Sequence, residues 1–111
     1  MDFKTYQKKS RKTAVYPKSK YCEGIFYPTL GLVGESGEVA EKVKKALRDD
    51  GGIITKEKKE ELKKELGDVL WYVSQIAADL KISLDDIAVT NLEKLSSRFK
   101  RGQIRGSGDN R

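Results

Sequence analysis

Histidine is absent from this chain, and cysteine, proline and tryptophan are scarce. Without histidine the commonest general base and the usual zinc ligand are gone. Any metal must be held mainly by carboxylates, which suit hard cations such as Mg²⁺ or Mn²⁺. The single cysteine, Cys22, cannot close an internal disulfide, so a reduced cytoplasmic setting is expected. Pro17 and Pro28 are the only prolines, and the chain beyond them is free to be helical. No stretch approaches the roughly 20 apolar residues of a membrane span. Met1-Asp2-Phe3-Lys4 is not followed by the apolar run of a secretory signal.

What is present is charge. At 111 residues the chain has room for one domain, and 36% of it is charged against 37% hydrophobic. That balance is typical of long amphipathic helices with salt-bridged outer faces. The net charge of +6 gathers at the two ends, while acidic residues concentrate in the middle. Basic ends serve solubility, an anionic small ligand or nucleic acid.

Periodicity predicts four helices and no strand. The first runs from about Asp2 to Ala14 and stops before Pro17, and a tyrosine-rich loop fills 17–28. The second starts near Pro28 or Thr29 and ends near Arg48, before Asp49-Asp50-Gly51-Gly52. Its stripe is Leu32, Val39, Val43 and Leu47. The third, capped by Thr55, repeats Leu62, Leu66, Val69, Val73, Ile76 and Leu80 in a heptad-like seam. Its second half is apolar on most sides, and such a helix must be covered all round. So short a chain has few elements for that, and a homo-oligomer, dimer or tetramer, is expected. The fourth starts at Ser83, with Asp86 three residues on, and ends near Lys100 or Gly102. We divide the chain into a helical domain, 1–101, and a Gly/Ser-rich tail, 102–111, of linker-like composition.

The second and third helices each carry two acids spaced i, i+3, Glu35/Glu38 and Glu65/Asp68. Each pair lies one turn apart on one face, and Glu38, Glu65 and Asp68 flank the apolar seam. If the two helices pack antiparallel, the pairs can converge. Four such carboxylates repel strongly unless a divalent cation joins them. Gly34, Gly37 and Gly67 beside the acids suggest a close approach to the backbone, by a ligand or by another helix. A solvated face, with Glu38 paired to Lys42, is the simpler alternative for either motif alone.

These motifs resemble the MazG-like family of all-α nucleoside triphosphate pyrophosphohydrolases, in which an ExxE on one helix is followed by an ExxD on the next. The likeness takes in Gly31 to Ala40, Glu65 to Tyr72, Asn91 to Lys94 with Leu95 and Arg98, and the tail from Gly106 to Arg111. Tyr6-Gln7 and Thr13 to Pro17 are similar to the N-terminal part of smaller members. The resemblance implies an all-α, four-helix bundle-like MazG fold completed by homo-oligomerisation. It implies that Glu35, Glu38, Glu65 and Asp68 hold Mg²⁺, with Mn²⁺ as a substitute. It also implies that a (d)NTP is hydrolysed to (d)NMP and pyrophosphate by water attack at the α-phosphorus, a chemistry that fits nucleotide-pool house-cleaning.

Glu38 is the candidate general base, with Glu41 as the alternative. Asn91, Lys94 and Arg98 form either a donor face for phosphates or a solvated basic face at a helix C-terminus. Tyr72, four residues after Asp68, is a candidate contact to base or sugar; Trp71, Phe26 and Tyr27 are further stacking candidates. Another pyrophosphohydrolase of the superfamily, such as phosphoribosyl-ATP pyrophosphohydrolase, shares the acidic motifs. A basic helical nucleic-acid-binding module needs a continuous basic face, which the acid-bearing long helices do not offer. A catalytically silent scaffold is disfavoured by the intact quartet of acids.

Overall fold

The computed structural model describes residues 1–18, 20 and 24–111. Tyr21 and Cys22 lie outside the described residues. These hold four α-helices and no strand: α1 (Phe3–Ser10), α2 (Phe26–Asp49), α3 (Lys56–Asp79) and α4 (Leu84–Lys100).

The caps are local and follow from single side chains. The Thr5 N–H donates to Asp2 at 2.7 Å, that of Lys58 to Thr55 at 3.1 Å and that of Asp86 to Ser83 at 3.0 Å. The first helix is shorter than its expected reach to Ala14. It ends at Ser10 and tightens into a 3₁₀ turn, Arg11–Thr13. The Ser10 hydroxyl donates to the Gln7 carbonyl and that of Thr13 to the Ser10 carbonyl, competing with the α-helical ladder. The second helix starts earlier than expected, so Phe26 and Tyr27 open α2 and do not lie in a loop. Pro28 sits in its first turn, where a missing N–H costs nothing. Gly51 and Gly52, both at positive φ, stop α2.

α2 and α3 form an antiparallel hairpin. Gly31 faces Tyr72, Glu35 faces Glu65 and Asp68, and Lys42 faces Glu61. α1 crosses α3 and reaches α4. Its Ser10 bonds Ser74 and Gln75, and Gln7 bridges the Ile82 carbonyl and the Leu84 N–H. α4 rests chiefly on α1.

The buried apolar set is small: Ala46, Ala77 and Leu84, with Pro28 at the head of α2. The expected seam is therefore only partly inside. Leu66 is 55% and Leu80 50% exposed, as are Leu47 (69%), Leu92 (66%) and Phe99 (76%) on the neighbouring helices. Nothing among the described residues covers them. The radius of gyration is 17.0 Å, against about 13 Å for a compact chain of this length. The accessible surface is 8486 Å², against about 6,200 Å² for a folded monomer of this mass.

The tail folds back on α4. Arg98 is buried and donates to the Asp109 carbonyl at 2.6 Å, while Lys94 reaches the Asp109 carboxylate at 3.3 Å. Arg111 donates to the Gly108 carbonyl at 2.6 Å. Residues 102–111 thus form a docked strap, despite their linker-like composition.

Candidate active site

The hairpin register sets the site. Because α2 and α3 run antiparallel, a motif midway along one meets a motif midway along the other. Glu35, Glu65 and Asp68 each offer a carboxylate oxygen, and these atoms lie within 4.8 Å of one another. Glu35 and Glu65 are half-buried and Asp68 is exposed. Burial raises the Glu35 carboxyl above its usual range, and the neighbouring charges of Asp68, Glu65 and Glu38 raise it further. Lys42 approaches Glu65 at 3.3 Å and Glu61 at 3.9 Å. That is a correction to the alternative reading, which paired Lys42 with Glu38.

Glu38 stands apart from the tight group. It is exposed, one turn beyond Glu35, and acts on the group through its charge. Glu41 is occupied by Lys44 at 2.6 Å and Lys45 at 3.3 Å. Those hydrogen bonds hold its carboxyl below the usual range, which weakens it as a base.

A set made only of carboxylate oxygens fits a hard divalent cation in chemistry and charge. Such an ion would relieve the repulsion that lifts Glu35. The glycines between the acids leave room: a Cβ on Gly34, Gly37 or Gly67 would meet nothing within 4 Å. Within one chain, helix packing does not account for them. The glycine that packing does demand is Gly31, whose Cβ would fall 2.2 Å from the Tyr72 ring.

The Tyr72 ring lies against Gly31, one turn before Glu35. Burial raises its hydroxyl, followed by the influence of Tyr27, Glu35 and Asp68. Tyr6 of α1, marked in the sequence only by its likeness to smaller family members, also approaches: burial and then the Asp68 charge raise its hydroxyl. Trp71 meets Tyr72 edge-on at 5.0 Å and Tyr16 at 6.1 Å, and its indole N–H donates to Thr13 at 2.8 Å. It pins the 3₁₀ turn to α3. Tyr16 stacks on Tyr27 at 5.5 Å with 8° between planes, and Phe26 and Tyr27 remain largely exposed.

Asn91, Lys94 and Arg98 are not brought to the acids within one chain. Asn91 lines an open depression on α4 with Asp86, Thr90 and Lys94. Lys94 and Arg98 are engaged by the tail, and the Arg98 side chain is only 5% exposed. Its Nε is buried without a partner.

A search of known proteins agrees with this geometry. The model of the MazG nucleotide pyrophosphohydrolase domain matches residues 28–102, a span that contains both acidic motifs, all but the first two residues of α2, and all of α3 and α4. Gene 37 protein of Mycobacterium phage L5 is 53% identical over 109 residues, covering 96% of each chain. No solved structure matches. No helix of the described residues is long and apolar enough to cross a membrane. With an all-helical fold and a convergent acid group, the chain belongs to the MazG nucleotide pyrophosphohydrolase family, whose members generally depend on a divalent metal.

Proposed function

We propose that the protein is a Mg²⁺-dependent hydrolase that converts a nucleoside triphosphate to the monophosphate and pyrophosphate. The observation that carries this reading is the convergence of Glu35, Glu65 and Asp68 within 4.8 Å, with Glu35 disfavoured as an anion. These three would hold the cation, Glu38 would border it, and Mn²⁺ would serve in its place. Once bound, the cation would offset the charge of the triphosphate oxygens and of the leaving pyrophosphate. Glu38, exposed one turn beyond Glu35, would accept the proton of the attacking water at its carboxylate oxygen. Tyr72, whose ring lies against Gly31 one turn before Glu35, would contact base or sugar.

The acting form is a homo-oligomer. A second copy would cover the excess of about 2,300 Å² of surface over a compact monomer, an area in the range of obligate homodimers. It would also be the means of bringing Asn91 and Lys94 to the acids as phosphate donors, and Arg98 would join them only once the tail released it. A nucleic-acid role loses support because Arg98 is buried and tied to the tail.

Pyrophosphate release screened across all NTPs and dNTPs with Mg²⁺, and repeated in excess EDTA, tests the reaction. The expected result is release from at least one nucleotide that EDTA abolishes. Turnover that survives EDTA would remove the metal mechanism. A light-scattering mass of one 12.5 kDa chain at micromolar concentration would remove the oligomer.

A further inference from the structure

Away from the acids, α3 ends in a second polar constellation. The Asp79 side chain is 7% exposed. It accepts from the Arg11 guanidinium at 2.6 Å and from the Tyr16 hydroxyl, and Lys18 lies 3.6 Å away. Arg11 also donates to Tyr16 at 2.8 Å and to buried Gln75 at 3.2 Å. Each member of the triangle Arg11, Tyr16 and Asp79 thus bonds the other two. The Tyr16 hydroxyl is fixed at one end, and its ring is fixed at the other by the face of Tyr27 and the edge of Trp71. The ring chain runs on from Tyr16 through Trp71 to Tyr72, whose ring lies against Gly31, one turn before Glu35. A series of ring contacts therefore leads from the acid-bearing hairpin to Tyr27, which is 46% exposed and backed on one face by Tyr16.

We propose that Arg11, Tyr16 and Asp79 are positioning residues that hold Tyr27 as the stacking platform for the base of the bound nucleotide. The inference rests on the nucleotide pyrophosphohydrolase reading. The N-terminal segment thereby shapes the base end of a site whose phosphate end is built by α2 and α3. A flat aromatic face with a rigid backing suits a planar base of any identity, because every base has a π-face. The triangle does not touch the acids, so its loss should weaken substrate capture and spare the chemical step.

Steady-state kinetics of Tyr16→Phe and Tyr16→Leu in the full chain test this, with inorganic tripolyphosphate as a base-free competitor. Tyr16→Phe keeps the ring and loses its tie to Asp79. KM for the preferred nucleotide should rise about threefold, with kcat within about twofold of the parent. Tyr16→Leu loses the ring, and KM should rise about tenfold or more. The inhibition constant of tripolyphosphate should stay put in both. Asp79→Asn should resemble Tyr16→Phe. The single tryptophan, Trp71, touches Tyr16, and its emission should shift in Tyr16→Leu and report the moved wall without turnover. An unchanged KM in Tyr16→Leu, with the parent active, would overturn the proposal while leaving the hydrolase reading intact. So would a tripolyphosphate constant that rises in step with KM, since the triangle would then be supporting the acid group. Inactivity of the parent on every nucleotide would instead sink the hydrolase reading itself.

Discussion

α3 carries two acidic regions about three turns apart, and the protein treats them in opposite ways. Asp79 is one carboxylate surrounded by donors. Burial alone would raise it, but hydrogen bonds from Tyr16 and Arg11 outweigh that and hold it below the usual range. Glu65 and Asp68 are gathered with Glu35 against their mutual repulsion, and Glu35 is pushed up. The first region is complete within the chain and ties the N-terminal segment to the hairpin. The second is left short of positive charge, with Lys42 its only ion-pair partner among the described residues. Carboxylates that a fold satisfies are part of its structure; carboxylates that it gathers and leaves unsatisfied are prepared for something from outside.

The largest expected effect falls on the unsatisfied region. Asp68→Asn or Glu35→Gln should reduce pyrophosphate release at least about a hundredfold, since even outer-shell partners of a metal are worth that much. The same variants should melt no lower than the parent without metal, because repulsion falls. Activity retained within a few-fold would erase the difference between the two regions.

Next comes the satisfied region. Asp79→Ala strands Arg11, whose side chain is one-third exposed and partly rescued by water. A loss of about 2–3 kcal/mol in chemical denaturation is expected. Metal-free stability should depend on pH with two opposite signs. Glu35 has its pKa raised above 4.5, so its contribution is fully present below 4.5 and is lost as pH rises through the raised value. Asp79 has its pKa lowered below 3.8, so its contribution is present above 3.8 and is lost as pH falls through the lowered value. Denaturation midpoints taken downward from pH 7 should first rise and then fall. Glu35→Gln should remove the rise and Asp79→Ala should soften the fall. A monotonic curve that neither variant alters would count against both assignments.

The smallest effects separate two kinds of glycine. Gly31→Ala drives a methyl into the Tyr72 ring and should cost about 1–3 kcal/mol. Gly67→Ala meets open space and should stabilise the metal-free chain by up to about 1 kcal/mol. If Gly67→Ala also lowers activity, substrate or a second copy approaches the backbone there. Equal melting shifts of the two variants would deny the distinction.

Much of the fold was legible because its signals are local. Thr55 and Ser83 cap where their spacing to the next turn predicts, and the two i, i+3 acid pairs on antiparallel helices bring Glu35, Glu65 and Asp68 together while Glu38 stays outside. The seam was less faithful. Leu66 and Leu80 carry the right period, but period says which face is apolar and not whether this chain or another covers it. The Arg11–Asp79 contact spans 68 residues of sequence and involves single side chains without any repeat, so nothing in the sequence could announce it. Nothing in the sequence distinguishes Gly31, the one glycine of α2 that lies against Tyr72, from Gly34 and Gly37, which meet nothing. Lys94 and Arg98 fit a phosphate-donor pattern, yet their donors turn to a tail whose composition read as a linker.

The central claim is that Glu35, Glu65 and Asp68 form an incomplete cation site. Thermal melting of the parent and of Asp68→Asn, each with EDTA and with saturating Mg²⁺, tests it most directly. The parent should gain about 2.7 kcal/mol at a hundred times its dissociation constant, and Asp68→Asn should gain little while melting no lower than the parent in EDTA. A parent that melts at one temperature with and without Mg²⁺, or an Asp68→Asn that responds as strongly as the parent, would contradict the account.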